Sequence, residues 1–283
     1  MNYIDGVMNY TGSKFKLLDQ IIPELDTSKK YFIDLFTGSF VVSSNVVHLY
    51  NKILANDIVE DIINIHKSII NDPNDFIEEV KELSIPCKID QTKYNELRSL
   101  YNENKTPERL YALMLSCMSN MLRFNKKGEM NQTWGKRSWN LSTEKKVNNF
   151  INHIIPHKNK IFFSSKNFYD VKISKPSMVY IDPPYSAVKN EDGSISNKKI
   201  SEAGYSHIWN MYDDIKLYKY CLELDKNGSS FMLSSVLEHN DNIAWLPYKL
   251  IEKGFKYKEL DSNYNKVSKK GNKNTKEVIV INY

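Results

Sequence analysis

An apolar run at Tyr31–Phe36 passes directly into Thr37-Gly38-Ser39, then into a helical stretch at Val41–Tyr50 and a second apolar run at Ile53–Ala55 that stops at Asn56-Asp57. Strand, glycine turn, helix and strand in that order make a βαβ unit, and strands joined by a helical crossover lie parallel in one sheet. That unit places the chain in the α/β class. Further strand-like runs occur at Lys160–Ser164, Met178–Asp182, Ser229–Ser235, Phe255–Leu260 and Glu277–Asn282. Helical stretches near Tyr212–Leu224 and Ile243–Lys253 lie between them, and Lys14–Leu25 carries apolar residues at helical spacing. The last two runs have no helix between them and are expected to form a C-terminal β-hairpin at the sheet edge. From about Ile58 to Phe150 the pattern changes to helical stretches (Ile58–Ile70, Asp75–Leu83, Gln91–Asn102, Pro107–Met118) without a buried-type strand. An α/β sheet with a mainly helical insertion is therefore expected.

Composition narrows the class further. With 41% hydrophobic and 12% aromatic residues the chain can bury a core, which argues against a disordered protein. No apolar run approaches the roughly 18–20 residues of a membrane span, and Met1–Gly12 lacks the apolar stretch of a signal peptide. Cys87, Cys117 and Cys221 are odd in number and far apart, which fits neither a disulfide framework nor a zinc site. The expectation is a soluble cytoplasmic protein without a metal. The net charge of +5 means little until it is located. Between Asn120 and Lys146 seven cations face two acids, and between Lys266 and Lys276 five lysines face none, so the rest of the chain is net acidic. Two basic patches on an acidic body suit a polyanion such as nucleic acid. A Lys-rich composition produces similar windows by chance, so charge alone names no function.

The most informative segment is Met178–Tyr185, a buried apolar strand ending in Asp182-Pro183-Pro184-Tyr185. In an open parallel sheet the carboxyl ends of strands line the ligand crevice. Successive prolines stiffen the backbone, remove N–H donors and leave carbonyls free to accept. A carboxylate and a carbonyl suit a ligand amino group, and the tyrosine offers a flat face for stacking. A proline-terminated strand with a capping Asp is the plainer alternative.

These residues, with three other motifs in order, resemble the Dam-type DNA adenine N6-methyltransferases. The tetrapeptide Asp182–Tyr185 matches without change. Tyr10-Thr11-Gly12-Ser13-Lys14 resembles the family's N-terminal motif, and Asp34-Leu35-Phe36-Thr37-Gly38-Ser39-Phe40 resembles its S-adenosylmethionine loop. Arg123-Phe124-Asn125 through Gly128, Asn131 and Gly135-Lys136 resembles its recognition hairpin. The resemblance covers nearly the whole chain. It implies a Rossmann-like, S-adenosylmethionine-dependent sheet formed by residues 1–58 and 155–283, with a helical target-recognition domain at 59–154 and a DNA-reading hairpin near 120–137. It implies that Asp182, Pro183, Pro184 and Tyr185 are catalytic, and that Tyr10, Lys14, Asp34, Phe36, Gly38, Ser39, Asp57, Asn167, Phe168 and Asp182 hold the cofactor. Phe40 stands where the family usually has a second glycine, so close approach to the ligand is expected to rest on Gly38. Asn167 stands where an Asp is usual and keeps an acceptor oxygen. Asp57, about 20 residues past the loop, has the spacing of a ribose-binding carboxylate, and locally it also reads as a helix cap.

Lys14, Arg123, Asn125, Lys126, Lys127, Lys136 and Arg137 are the implied contacts to double-stranded DNA. Arginine reads guanine bidentately whereas scattered lysines serve phosphates, and the four arginines of the chain (Arg98, Arg109, Arg123, Arg137) all lie in the insertion. Arg123 is the candidate base reader. Met130 and Gln132-Thr133-Trp134 depart from the common hairpin pattern, which bears on whether the site is GATC or a related sequence. Ser186–Tyr205 is polar and aperiodic, and is expected to be a lid loop. The expected function is methyl transfer from S-adenosylmethionine to a flipped adenine, by a monomer. A relative that binds nucleic acid without methylating, or that methylates RNA, is the competing reading.

Overall fold

A computed structural model describes residues 3–10, 12–125, 127–200, 209–261 and 275–283. The chain forms one main sheet in the order β3 (Ile161–Ser164), β2 (Lys52–Asn56), β1 (Tyr31–Asp34), β4 (Met178–Ile181), β7 (Ser230–His239), β10 (Thr275–Ile281) and β9 (Lys256–Leu260), with the short β8 (Asn242–Ile243) paired to β7 off this path. The strands from β3 to β7 are mutually parallel, while β10 runs antiparallel to both of its neighbours. This is a Rossmann-like sheet ending in the expected C-terminal hairpin, with β9 at the edge.

Side chains alternate across the sheet, so each buried strand feeds two cores. On one side Phe32, Met178, Tyr180 and Met232 pack with α2 (Val41–Val46) and with helices that follow β2. On the other, Ile33, Val179, Ile181 and Leu233 pack with α8 (Met211–Lys226) and α9 (Trp245–Glu252). The helices after β2 are α3 (Glu60–Asn71), α4 (Pro73–Ser84), α5 (Gln91–Glu103), α6 (Pro107–Ser116) and α7 (Leu141–Ile154). They share a continuous core with the first face, and Phe40 of the sheet region meets Phe150 of α7 at a ring separation of 6.3 Å.

Several elements differ from the sequence expectation. Lys14–Leu25 is not one helix. It is a four-residue helix, α1 (Leu18–Ile21), between two 3₁₀ turns, with Pro23 early in the second. The helix α2 stops at Val46. Helix α7 has no counterpart in the reading, because its buried Val147, Phe150 and Ile154 are diluted by Asn and Lys. The strand at Ser229–Ser235 continues to His239 because β10 pairs with it beyond the parallel ladder. The expected lid is a β-hairpin, β5 (Ala187–Lys189) with β6 (Ile195–Lys199), turned at Gly193 with φ +81° and bridged to Ala244; residues 201–205 lie outside the described residues.

Candidate active site

Strand order reverses between β1 and β4, and a crevice opens at such a switch point beyond the carboxyl ends. Asp34 pairs in register with Tyr180, so Asp34 and Asp182 leave the sheet from adjacent strand ends. The cleft they share encloses about 1040 Å³, its open mouth included. Every implied cofactor residue and every member of Asp182–Tyr185 lines it.

Asp34 is buried, and its Oδ2 accepts from Thr37 (3.0 Å) and Ser43 (2.7 Å) while Oδ1 has no partner among the described residues. Burial pushes its carboxyl up to about 7, against those two hydrogen bonds. The turn that follows is more constrained than its single expected glycine. Gly38 has φ +44°, and a Cβ there would stand 2.7 Å from the Tyr10 ring, so the close approach is made by Tyr10. Phe40 adopts the left-handed conformation itself (φ 62°), which costs a non-glycine residue roughly 1–2 kcal/mol. Its ring points away from the cleft and packs between His66 (5.3 Å) and Phe163 (5.4 Å). The departure at Phe40 thus ties the loop to the helical region. His66 completes the tie through Nε2 to the Gly38 carbonyl (2.8 Å), and burial lowers its pKa to about 4, so the neutral ring donates.

Asp57 accepts the backbone N–H of Gly38 on one oxygen (3.0 Å) and that of Val59 on the other (2.9 Å). Since α3 begins at Glu60, Asp57 buttresses the two loops instead of capping that helix through its first turn. Asn56, which sequence reasoning missed, joins the same loops by donating to the Leu35 and Lys166 carbonyls. Asn167 stands at the cleft with Phe168, whose ring packs on Phe36 (5.6 Å) and Trp209 (5.5 Å). Trp209 was also missed. It is held by Asp214, which accepts from the indole N–H (3.0 Å) and from the Ala187 backbone (2.7 Å), just past Tyr185. Burial raises the Asp214 carboxyl to about 6.

Asp182 receives both of its hydrogen bonds from one ammonium, Lys14 Nζ, at 2.6 and 2.8 Å, and the same group donates to the Gly12 carbonyl at 3.1 Å. Burial raises the Asp182 carboxyl although Lys14 opposes it, and burial disfavours the Lys14 charge but Asp182 outweighs that and holds it above the usual lysine range. Among the described residues nothing donates to the Pro183 carbonyl. Lys14 and Asp182 also line a second cavity of about 900 Å³ on the side of β7 and β10.

A family profile for D12 class N6 adenine-specific DNA methyltransferases matches residues 10–265. The chain belongs to this family. It is 31% identical over its whole length to the type II methyltransferase M.FokI of Planomicrobium okeanokoites, and 28% identical over 98% of its length to the modification methylase LlaI of Lactococcus lactis subsp. lactis. In both cases it spans less than half, 43%, of the relative. The type II methyltransferase M.MjaIII of Methanocaldococcus jannaschii is 27% identical over 81% of this chain and 83% of its own.

In this D12-class chain the 120–137 segment is a narrow antiparallel loop, bridged at Cys117–Trp134 and Phe124–Met130. Asn125 shapes its tip, its Oδ1 accepting the N–H groups of Lys127 and Glu129 and its amide donating to Glu129. Gly135 lets the base close, since a Cβ there would lie 2.3 Å from the Cys117 carbonyl. The residues that depart from the family pattern face inward or act through their backbone. Met130 is buried, Tyr94 of α5 donates to the Gln132 carbonyl (2.7 Å), and the Trp134 indole donates to Cys87 (2.6 Å). Of the arginines, Arg98, Arg109 and Arg137 donate to Gln132, Asn104 and Asn120. Arg123 is exposed; its carbonyl accepts the Asn131 N–H (3.1 Å), while its side chain makes no hydrogen bond or ion pair among the described residues. Lys127 and Lys136 are exposed, Lys136 lying over the Trp134 ring at 5.4 Å; Lys126 lies outside the described residues. So do Lys266, Lys269, Lys270 and Lys273 of the second patch, while Lys276 pairs with Glu238 (2.7 Å). Among the described residues no helix is long and apolar enough to cross a membrane, and no cluster of three His, Cys, Asp or Glu is placed to hold a metal.

Proposed function

We propose that this chain transfers a methyl group from S-adenosylmethionine to the exocyclic nitrogen of an adenine flipped out of double-stranded DNA. The observation that carries the reading is the Asp182 carboxylate, fixed by prolines at the end of β4 and opening onto a cleft whose opposite lip is Asp34. The cleft's chemistry fits the methyl donor. The unpartnered oxygen of Asp34 suits a cationic group, and each Asp57 oxygen, with one backbone N–H bound, keeps a lone pair for a ribose hydroxyl. Tyr10, Phe36 and Phe168 offer apolar walls for a planar base, and the Asn167 side chain, without a partner among the described residues, suits the base's amino group. Gly38, Ser39 and Lys14 complete the rim. When bound, the cofactor supplies an electrophilic methyl on a sulfonium.

The chain's residues then have to make a poor nucleophile competent. The lone pair of an adenine amino group is delocalised into the ring. Asp182 and the Pro183 carbonyl accept hydrogen bonds from its two N–H groups, which favours a tetrahedral nitrogen with its lone pair directed at the methyl. Tyr185 stacks on the base, which must leave the helix to be reached. Pro184 keeps that ring and the Pro183 carbonyl in fixed relation. Catalysis is orientation and electrostatic placement. The recognition role falls to residues 59–154, with Arg123 reading a base edge, Asn125 shaping the loop, and Lys126, Lys127, Lys136 and Arg137 near phosphates. The site is GATC or a related short sequence, and the chain works inside the cell as a monomer; the relatives named as type II and modification methylases support a place in restriction-modification.

The test is Asp182→Ala. Methyl transfer to DNA should fall by about 10³-fold or more while S-adenosylmethionine binding, measured by calorimetry, changes little. Full transfer in that variant would refute the reading.

A further inference from the structure

Lys14 occupies the group that the proposed transfer needs. Its ammonium spends its three protons on Gly12 and on both oxygens of Asp182, so an incoming amino group meets a carboxylate already closed. For Asp182 to accept a substrate proton the ammonium has to leave. The Lys14 side chain is only 13% exposed, and a sheltered cation that loses its partner without gaining another is strongly disfavoured.

The second cavity offers that other partner. Among the described residues it is lined by two acids, Asp182 and Glu277. Glu277 lies on β10 beside a register shift, where Lys276 faces Glu238 and Glu277 faces Val236, leaving Leu237 as the extra residue on β7. Bulges of this kind re-aim side chains near sites. No group donates a hydrogen bond to the Glu277 carboxylate among the described residues, yet burial raises it and Lys14 draws it back down, so the two charges already sense each other. None of the cavity's remaining polar side chains among the described residues, Ser13, Tyr185, Ser235, His239 and Thr275, is a carboxylate. His239 is bound through Nδ1 to Thr275 at 2.8 Å and through Nε2 to Asn240, and Ser235 Oγ donates to the Val236 carbonyl.

We propose that Glu277 is the alternate counter-ion of Lys14: as the target base enters, the ammonium passes from Asp182 to Glu277, and Asp182 is freed to accept the amino proton. Two carboxylates share one ammonium before and after, so the exchange leaves the charge of the trio unchanged. Glu277 acts through Lys14 and is a positioning residue.

This inference rests on the role proposed for Asp182, and a double-mutant cycle separates the two. Single-turnover methylation of DNA is measured for the wild type, Glu277→Gln, Lys14→Gln and the double variant, with S-adenosylmethionine affinity and thermal unfolding followed in parallel. Glu277→Gln should slow transfer by about tenfold or more with cofactor affinity changed less than about twofold, and should have no further effect once Lys14 is Gln. Should the Gln variant unfold, the same cycle with Glu277→Asp applies. Equal penalties in both Lys14 backgrounds, or an unchanged rate in Glu277→Gln, would overturn the inference while leaving the role of Asp182 standing. Only full transfer by Asp182→Ala removes that role itself.

Discussion

The cleft at the ends of β1 and β4 and the loop at 120–137 use polar side chains in opposite ways. In and behind the cleft, Asp34, Asn56, Asp57, His66 and Asp214 spend hydrogen bonds on the chain's own turns and loops. In the loop the inward side is taken by Met130 and Trp134, while Arg123, Lys127 and Lys136 are exposed. The first arrangement holds a small cavity in one shape. The second presents cations on an anchored frame, which is what a polyanion requires. Damage to the cleft should therefore register in pH dependence and catalysis, damage to the inner side of the loop in stability, and damage to its outer side only in DNA binding.

The largest expected effect that would break this contrast belongs to Asp34. Its pKa in the folded chain, about 7, lies above that of an unfolded Asp, so the native state holds the proton more tightly. Its contribution to stability is full below about pH 4, declines as pH rises towards 7 and is flat above, a change of about 4 kcal/mol. Urea unfolding of the wild type and Asp34→Asn between pH 4 and 8 should show this slope in the difference between the two curves, since Asp214 and the other buried acids titrate in both proteins. Parallel curves would mean that the carboxylate is better solvated than its burial implies.

Next in size is Met130→Ala, which opens a cavity under the loop and should cost about 2–5 kcal/mol of stability by the same measurement. Arg123→Ala, seven residues away, should leave stability within about 0.5 kcal/mol and weaken binding to a cognate duplex by about 1–3 kcal/mol, with relaxed specificity. If Arg123→Ala destabilised the fold as Met130→Ala does, the division into inner and outer sides would fail. Smaller again is the effect of Lys127→Ala or Lys136→Ala: each should reduce the slope of log affinity against log salt by about one. Lys276→Ala should change that slope less, because its ammonium is engaged by Glu238.

Much of the cleft could be read from the chain before folding, because its residues sit in contiguous motifs at strand ends where backbone geometry dictates position. Asp34, Gly38 and Asp182 are of this kind. Trp209 and Glu277 are not. Trp209 reaches the cleft because Asp214, on the first turn of α8, accepts its indole, and Glu277 shares a cavity with Lys14 because β10 inserts between β7 and β9. Neither proximity has a spacing rule. Phe40 was legible as a departure but not in its consequence, since a left-handed phenylalanine is tolerable only where His66 and Phe163 receive its ring. The inner side of the recognition loop was hidden for a related reason. Residues 130–134 look like candidates for reading DNA until Tyr94 and Cys87 are seen to hold them.

The central claim is most directly tested by incubating the chain with DNA and S-adenosylmethionine labelled with tritium in the methyl group, then identifying the modified base. Label is expected in DNA as N6-methyladenine, confined to a short recurring sequence. No incorporation into any DNA, or label on cytosine, would contradict the claim.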